Sequence, residues 1–184
     1  MRIVIATPLY PPDTADLALY TKDLAQRLSA SHTITIILYG TLPEDISGVQ
    51  FICVDKHKPT LLRIFLYIKA LAKAVQKSDI LYAQNGPSVE LPVGIIARFF
   101  KIPLITHRGD LKAHQKTQKS FFLRLLKDFS ESCSLEVITK TPPTKPEVLP
   151  FQPKPQEKLL DYERKWKEHV DTLEALFKKY GPTK

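Results

Sequence analysis

Cysteine is nearly missing from this sequence: among 184 residues there are only Cys53 and Cys133. Two thiols cannot build a disulfide framework or a four-ligand zinc site, and both sit among apolar neighbours where a small buried thiol is the ordinary reading. A reduced, cytosolic compartment is the expectation, with no metal and no cofactor. Glycine is scarce as well, six in all, and the loop Thr7-Pro-Leu-Tyr-Pro-Pro-Asp-Thr14 after the first strand-like run has none. Neither G-x-G-x-x-G nor G-x-x-x-x-G-K-[ST] is therefore present, which disfavours a dinucleotide dehydrogenase and a P-loop NTPase. Long apolar runs are absent too. The stretches from Leu61 to Val75 and from Val89 to Phe100 are broken by Arg63, Lys69, Lys73 and Arg98, short of the roughly 18 to 20 uninterrupted apolar residues a membrane span requires. Met1 leads directly into Arg2-Ile-Val-Ile-Ala-Thr7 with no basic and apolar leader ahead of it, so no signal peptide is expected.

What is present suffices for a packed core. The chain is 43% hydrophobic and 25% charged, ordinary globular usage, and its length suits one domain with an appendage. Arg2 to Thr7 is a continuous β-rich apolar run, as a central strand covered on both faces requires. Asp13 or Thr14 then caps a helix whose apolar positions Leu17, Tyr20, Leu24 and Leu28 recur at helical spacing. Thr33 to Leu38 and Val49 to Val54 read as strands. Thr60 caps a helix to about Lys77, with Leu61, Ile64, Phe65, Ile68, Leu71, Ala72 and Val75 facing inward. Asp79 to Ala83 is a strand, Glu90 to Phe100 a helix, Pro103 to Thr106 a strand, Lys119 to Cys133 a helix and Leu135 to Thr139 a strand. Such alternation specifies a single α/β, Rossmann-like domain with a parallel sheet flanked by helices and right-handed crossovers.

The composition changes after Thr141. Six of the fifteen prolines fall at 142, 143, 146, 150, 153 and 155, which marks 142–155 as an extended linker between a domain at 1–141 and a tail at 156–184. Gln156 to Tyr180 reads as one amphipathic helix with Leu159, Tyr162, Trp166, Val170, Leu173, Leu176 and Phe177 on one stripe, ended by Gly181-Pro182. That stripe is expected to pack back on the domain.

Charge is unevenly placed. Residues 1–55 carry three basic and six acidic groups, whereas 56–77 carry six basic groups and no acid, and 107–127 six basic groups against Asp110 alone. Lys69, Lys73 and Lys77 form an i, i+4, i+8 stripe. Lys112, Lys116, Lys119, Arg124 and Lys127 surround Phe121 and Phe122. Basic faces with surplus aromatics suit an anionic membrane surface or a protein partner, and solvated helix faces explain the same charges. Nucleic acid is disfavoured because no recognised nucleic-acid module appears.

In an open parallel sheet, ligands bind beyond the carboxyl ends of the strands, here the loops at 7–16, 84–88, 107–110 and 139–140. The residues in and around these loops carry a resemblance. Met1-Arg-Ile-Val-Ile-Ala-Thr-Pro-Leu-Tyr-Pro-Pro-Asp13, then Leu28-Ser-Ala-Ser-His-Thr-Ile-Thr-Ile36, Asp79-Ile-Leu-Tyr-Ala-Gln84, Ile102-Pro-Leu-Ile-Thr-His-Arg-Gly-Asp110, Glu136-Val-Ile-Thr139 and Pro146-Glu-Val-Leu-Pro150 follow in an order that resembles the amino-terminal half of family-four glycosyltransferases of the GT-B fold. The resemblance implies an acceptor-side domain contributing to sugar transfer onto a glycan or lipid-linked acceptor. The family's donor-gripping half, with its E-x7-E motif and an Arg followed five residues later by Lys, has no counterpart. Arg164-Lys-Trp-Lys-Glu-His-Val-Asp-Thr-Leu-Glu-Ala-Leu176 resembles the family's closing helix. The implied partner is a separate donor-binding domain, or further copies of this chain, and the implied location is the cytoplasm, peripheral at the inner face of the membrane.

The resemblance aligns Arg108 with an active-site position; His107, one residue earlier, reads either as a general base or as a hydrogen-bonded structural residue beside the strand end. Tyr10, Asp13, Asp16, Gln84, Asn85, Gly109 and Asp110 fall at substrate-binding positions. Lys69, Lys73, Lys77, Lys119, Phe121, Phe122 and Arg124 form the membrane or partner face. Where many relatives have Gly-Gly, this chain has Ala15-Asp16, which crowds and repels a phosphate; Asp16 serves either an acceptor hydroxyl or the helix dipole. A non-catalytic binding or scaffolding module on the same fold is the alternative.

Overall fold

The computed structural model describes residues 1–40, 43–109, 120–144 and 156–182. Six strands form one parallel sheet: β1 (Arg2–Ala6), β2 (Thr33–Tyr39), β3 (Val49–Val54), β4 (Ile80–Gln84), β5 (Leu104–His107) and β6 (Glu136–Ile138). Their order is β3-β2-β1-β4-β5-β6, with registers such as Ile5 opposite both Ile36 and Tyr82. The order reverses between β1 and β4, and the loops that diverge there open a crevice at the carboxyl ends of the strands. Five helices are described: α1 (Asp16–Leu28), α2 (Thr60–Val75), α3 (Pro87–Phe100), α4 (Phe121–Ser132) and α5 (Gln156–Tyr180). This is the Rossmann-like architecture that the alternation of patterns predicts.

Strand β1 is apolar throughout because both of its faces are covered. Ile3 and Ile5 join a core with Tyr20, Leu24 and Leu28 of α1 and Trp166, Leu173 and Phe177 of α5. Val4 and Ala6 join a second core with Tyr67 and Leu71 of α2 and Val89, Val93 and Ile96 of α3. Each fully buried aliphatic side chain contributes about 1.5–3 kcal/mol. Gly94 lets α4 approach α3, since a Cβ there would stand 2.7 Å from Phe129 Cε1.

The tail helix α5 docks across α1. Trp166 is fully buried, stacks on Tyr20 at 5.5 Å between centroids, and donates its indole N–H to Pro143 O at 3.0 Å. The Arg27 guanidinium lies 5.0 Å from the Trp166 ring and makes a two-bond pair with Glu163 at 2.8 and 2.9 Å. At the far end, Tyr180 reaches Glu136 of β6 at 3.4 Å.

Some local expectations need correction. The buried edge of α2 is Tyr67, Leu71 and Val75, while Leu61 and Phe65 are exposed. The helix is turned because Tyr67 brings its own polar partners inside, with its hydroxyl near Thr7 O (3.3 Å) and Ile37 O (3.1 Å). Leu159 is also exposed, and Tyr162 is the first of the described stripe side chains of α5 packed against the core. The cap of α1 is Ala15, with Asp13 Oδ1 accepting the Ala15 N–H at 3.1 Å one step before the helix. Thr60 is the first helical residue after the cap Pro59, and α3 begins at Pro87 rather than Glu90. Among the described residues no helix is long and apolar enough to cross a membrane.

Candidate functional site

The loop after β1, the end of β2, the segments that follow β2 and β3, and the start of α2 bound a cavity of about 600 Å³ beside the topological switch. Tyr10, Pro11, Pro12 and Asp13 form one wall, and Tyr39 and Gly40 at the end of β2 form another. Lys56, Arg63 and Ser88 complete it. Tyr10 is held by an edge-on contact with Phe51 at 5.2 Å and is only 3% exposed, yet its hydroxyl has no hydrogen-bond partner among the described residues. Asp13 is exposed at the lip.

The base of this crevice is a polar knot. Thr7 and Thr21 hydroxyls lie 2.6 and 2.9 Å from the Gln84 side-chain amide, and they also reach Leu9 O and Leu17 O at 2.7 Å each. Both threonine hydroxyls donate to Gln84 Oε1, and Gln84 Nε2 is buried with no hydrogen-bond partner among the described residues. Gln84 thus fixes the β1 loop against α1 and β4 from a fully buried position. Asn85 follows it, and its backbone N–H is bonded to His107 O at 2.9 Å.

At the end of β5 two successive side chains part company, as strand alternation dictates. His107 points into the α1/α5 side, fully buried, stacked on Tyr20 at 4.5 Å and bonded through Nε2 to Thr141 Oγ1 at 3.0 Å. Burial, followed by the nearby His169, lowers its pKa to about 3. A neutral imidazole sealed from solvent is suited to packing in this state, not to proton uptake. Gly109 folds over it so tightly that a Cβ would come within 3.0 Å of Nδ1 and closer still to the ring. Beside it, Tyr82, Tyr20 and His169 form a buried chain of 2.7 Å hydrogen bonds.

Arg108 goes the other way. It ion-pairs with Glu131 of α4, and a small void of about 10 Å³, the size of one water, lies between Asn85, Glu90, Thr106, Arg108, Lys127, Ser130 and Glu131. Burial, first of all, pushes the Glu90 carboxyl up to about 7. Asp16 is exposed and meets Thr144 Oγ1 at 3.4 Å. Asp110 and Lys119, with Lys112, Lys116 and linker positions 145–155, lie outside the described residues.

The structure therefore brings Tyr10 and Asp13 into one cavity and sets Gln84 beneath it. Arg108 and His107 occupy opposite faces of the sheet. Lys69, Lys73, Lys77 and Arg124 are exposed, as are Phe121 (76%) and Phe122 (63%). Because α2, α3 and α4 cover one face of the sheet, these side chains share it with Leu61 and Phe65. Sequence reasoning missed Lys56, Arg63, Tyr39 and Ser88, although Arg63 in the first turn after β3 must lie at the carboxyl edge by topology alone. Glu90 was legible as a single carboxylate in an apolar helix.

The fold defines a single Rossmann-like α/β domain. No family model and no curated protein matches the sequence, but solved structures do. A UDP-GlcNAc 2-epimerase from Methanocaldococcus jannaschii superposes with a TM-score of 0.56 and 11% identity over 77% of this chain and 40% of that one. HepE from Anabaena in complex with UDP gives 0.51 and 16% identity over 74% and 37%. MnaA of S. aureus with UDP gives 0.51 and 12% over 75% and 38%. The chain spans about two fifths of the length of these structures. The likeness establishes a GT-B-like fold.

Proposed function

We propose that this chain is the acceptor-side domain of a sugar-transferring enzyme of the GT-B type, with the nucleotide sugar gripped by a donor-binding domain that a partner supplies. The observation that carries the reading is the open crevice of about 600 Å³ between the β1 loop, the end of β2 and α2, walled by Tyr10, Asp13 and Tyr39. Aromatic faces and a carboxylate are what a saccharide needs: apolar ring contact with hydrogen-bond acceptors for hydroxyls. The helical face bearing Lys69, Lys73, Lys77, Phe121, Phe122 and Arg124 suits an anionic membrane surface, where lipid-linked acceptors reside. Isothermal titration of the chain with UDP and with saccharide acceptors tests this. Saccharide binding is expected; UDP binding with no saccharide binding contradicts it. Transfer of labelled sugar only when a co-encoded donor domain is added would establish the division of labour.

One observation favours a second reading, a non-catalytic binding module. Both candidate catalytic side chains are engaged internally, His107 beneath Tyr20 and Arg108 with Glu131. Under that reading the crevice binds saccharide but no partner restores transfer.

A further inference from the structure

The crevice has a cationic end that no carboxylate among the described residues neutralises. Arg63 sits in the first turn of α2, its guanidinium 5.4 Å over the Tyr39 ring, with one Nη donating to Lys56 O at 3.0 Å. That bond ties the start of the helix to the loop after β3 and sets the Arg63 and Lys56 side chains in the lining of one cavity. The Nε–H of Arg63 is buried and has no hydrogen-bond partner among the described residues. Tyr39 is fixed in turn by donating its hydroxyl to Ser88 O at 2.9 Å. Ser88 belongs to the first turn of α3, where the helix dipole is positive. The nearly buried Tyr10, with its unpartnered hydroxyl, stands in the same wall system. Asp13 is the one carboxylate among the described residues that line this cavity, and it comes from the β1 loop.

A buried guanidinium N–H with no acceptor is costly unless a ligand supplies one. We infer that the crevice takes a phosphorylated sugar, its phosphoryl group held by Arg63 and Lys56 and its hydroxyls directed to Tyr10 and Asp13. This rests on the acceptor-crevice reading and narrows it. Arg63 supplies the fork that a phosphoryl group fits, Lys56 adds a point charge, and the Tyr39 ring keeps the fork rigid. Asp13 excludes the reversed pose by repelling the anion.

The test is an amide-resolved NMR titration of the full chain with glucose, glucose 6-phosphate, glucuronate and inorganic phosphate. Glucose 6-phosphate is expected to bind at least about tenfold more tightly than glucose, as charge-assisted hydrogen bonds imply. Its shifts should centre on Gly40, Lys56, Arg63 and Ser88. Arg63→Gln should remove that advantage, so that glucose 6-phosphate binds no more tightly than glucose does to the same variant, while Arg63→Lys retains part of it; an unaltered spectrum away from the site shows that each variant folds. Glucose binding in the crevice with no gain from the phosphoryl group overturns the inference and leaves the acceptor reading standing. Phosphate and glucose 6-phosphate shifting Arg63 equally, with no response to glucose, supports the anion site and sinks the acceptor reading. Glucuronate binding as tightly as glucose 6-phosphate overturns the phosphoryl assignment, and silence with all four probes overturns both.

Discussion

Trp166→Ala removes the largest fully buried side chain of the tail helix. The indole is stacked on Tyr20, capped by Arg27 and hydrogen-bonded to Pro143 O. Truncating a buried aromatic of this kind costs about 3–5 kcal/mol. The hydrogen bond accounts for about 1 kcal/mol of it and the Arg27 contact for about 0.5–1; lost burial and the cavity against Tyr20 supply the rest. Trp166→Phe keeps a ring on Tyr20 and drops only the N–H and some volume, so about 1–2 kcal/mol is expected. Leu160→Ala, at a residue 65% exposed on the same helix, should stay within about 0.5 kcal/mol of the parent. Urea unfolding followed by far-ultraviolet circular dichroism reads all three. With a urea slope of about 2 kcal/mol per molar, the alanine variant shifts the midpoint by about 2 M. A loss below about 1 kcal/mol for Trp166→Ala, or one equal to that of Leu160→Ala, refutes the docking of α5 on α1.

Three further outcomes follow from particular contacts. His107 and His169 are held near pKa 3 and 4 by burial against about 6.5 unfolded, so their contribution is complete above pH 6.5 and lost as pH falls toward 4. Glu90, raised to about 7, contributes most below about pH 4.5 and loses that stability as pH rises. Two histidines against one glutamate leave a net loss of at most about 1.4 kcal/mol per pH unit on acidification between pH 6.5 and 4.5, steepening to about 2.7 in Glu90→Gln; a flat profile from urea midpoints contradicts the assignment. Gly94→Val places methyls against Phe129 and should cost about 1–3 kcal/mol, partly recovered by Phe129→Leu in a thermal-melt cycle; additive losses would rule out that contact. Phe121→Ser with Phe122→Ser should leave stability within about 0.5 kcal/mol yet reduce sedimentation with vesicles containing anionic lipid. Undiminished sedimentation removes these rings from the membrane face.

Much of the architecture was legible because its signals are local. The run Arg2 to Ala6 announces a doubly covered strand, and the stripe Trp166, Leu173, Phe177 announces a docking helix. The face of α2 was misread because hydrophobicity alone treats Leu61, Phe65 and Tyr67 alike. Tyr67 wins the interior by bonding backbone carbonyls, a partnership only the folded sheet creates. The site was legible in its β1 half, where Tyr10 and Asp13 lie on a loop that the fold must place at the switch. Its α2 half was not, since Arg63 and Lys56 read as two more members of a basic stretch until β3 brings them beside Tyr39. His107 and Arg108, adjacent in sequence, could not be assigned to opposite faces before β5 and its flanking helices were in place.

The most direct measurement of the central claim is a structure, by crystal soak or NMR restraints, of the full chain saturated with a saccharide acceptor. The account predicts the sugar in the crevice between the β1 loop and α2, within hydrogen-bonding reach of Tyr10 and Asp13 and with the Thr7–Gln84–Thr21 knot intact beneath it. A sugar bound elsewhere on the chain, or no sugar bound at saturating concentration, would contradict it.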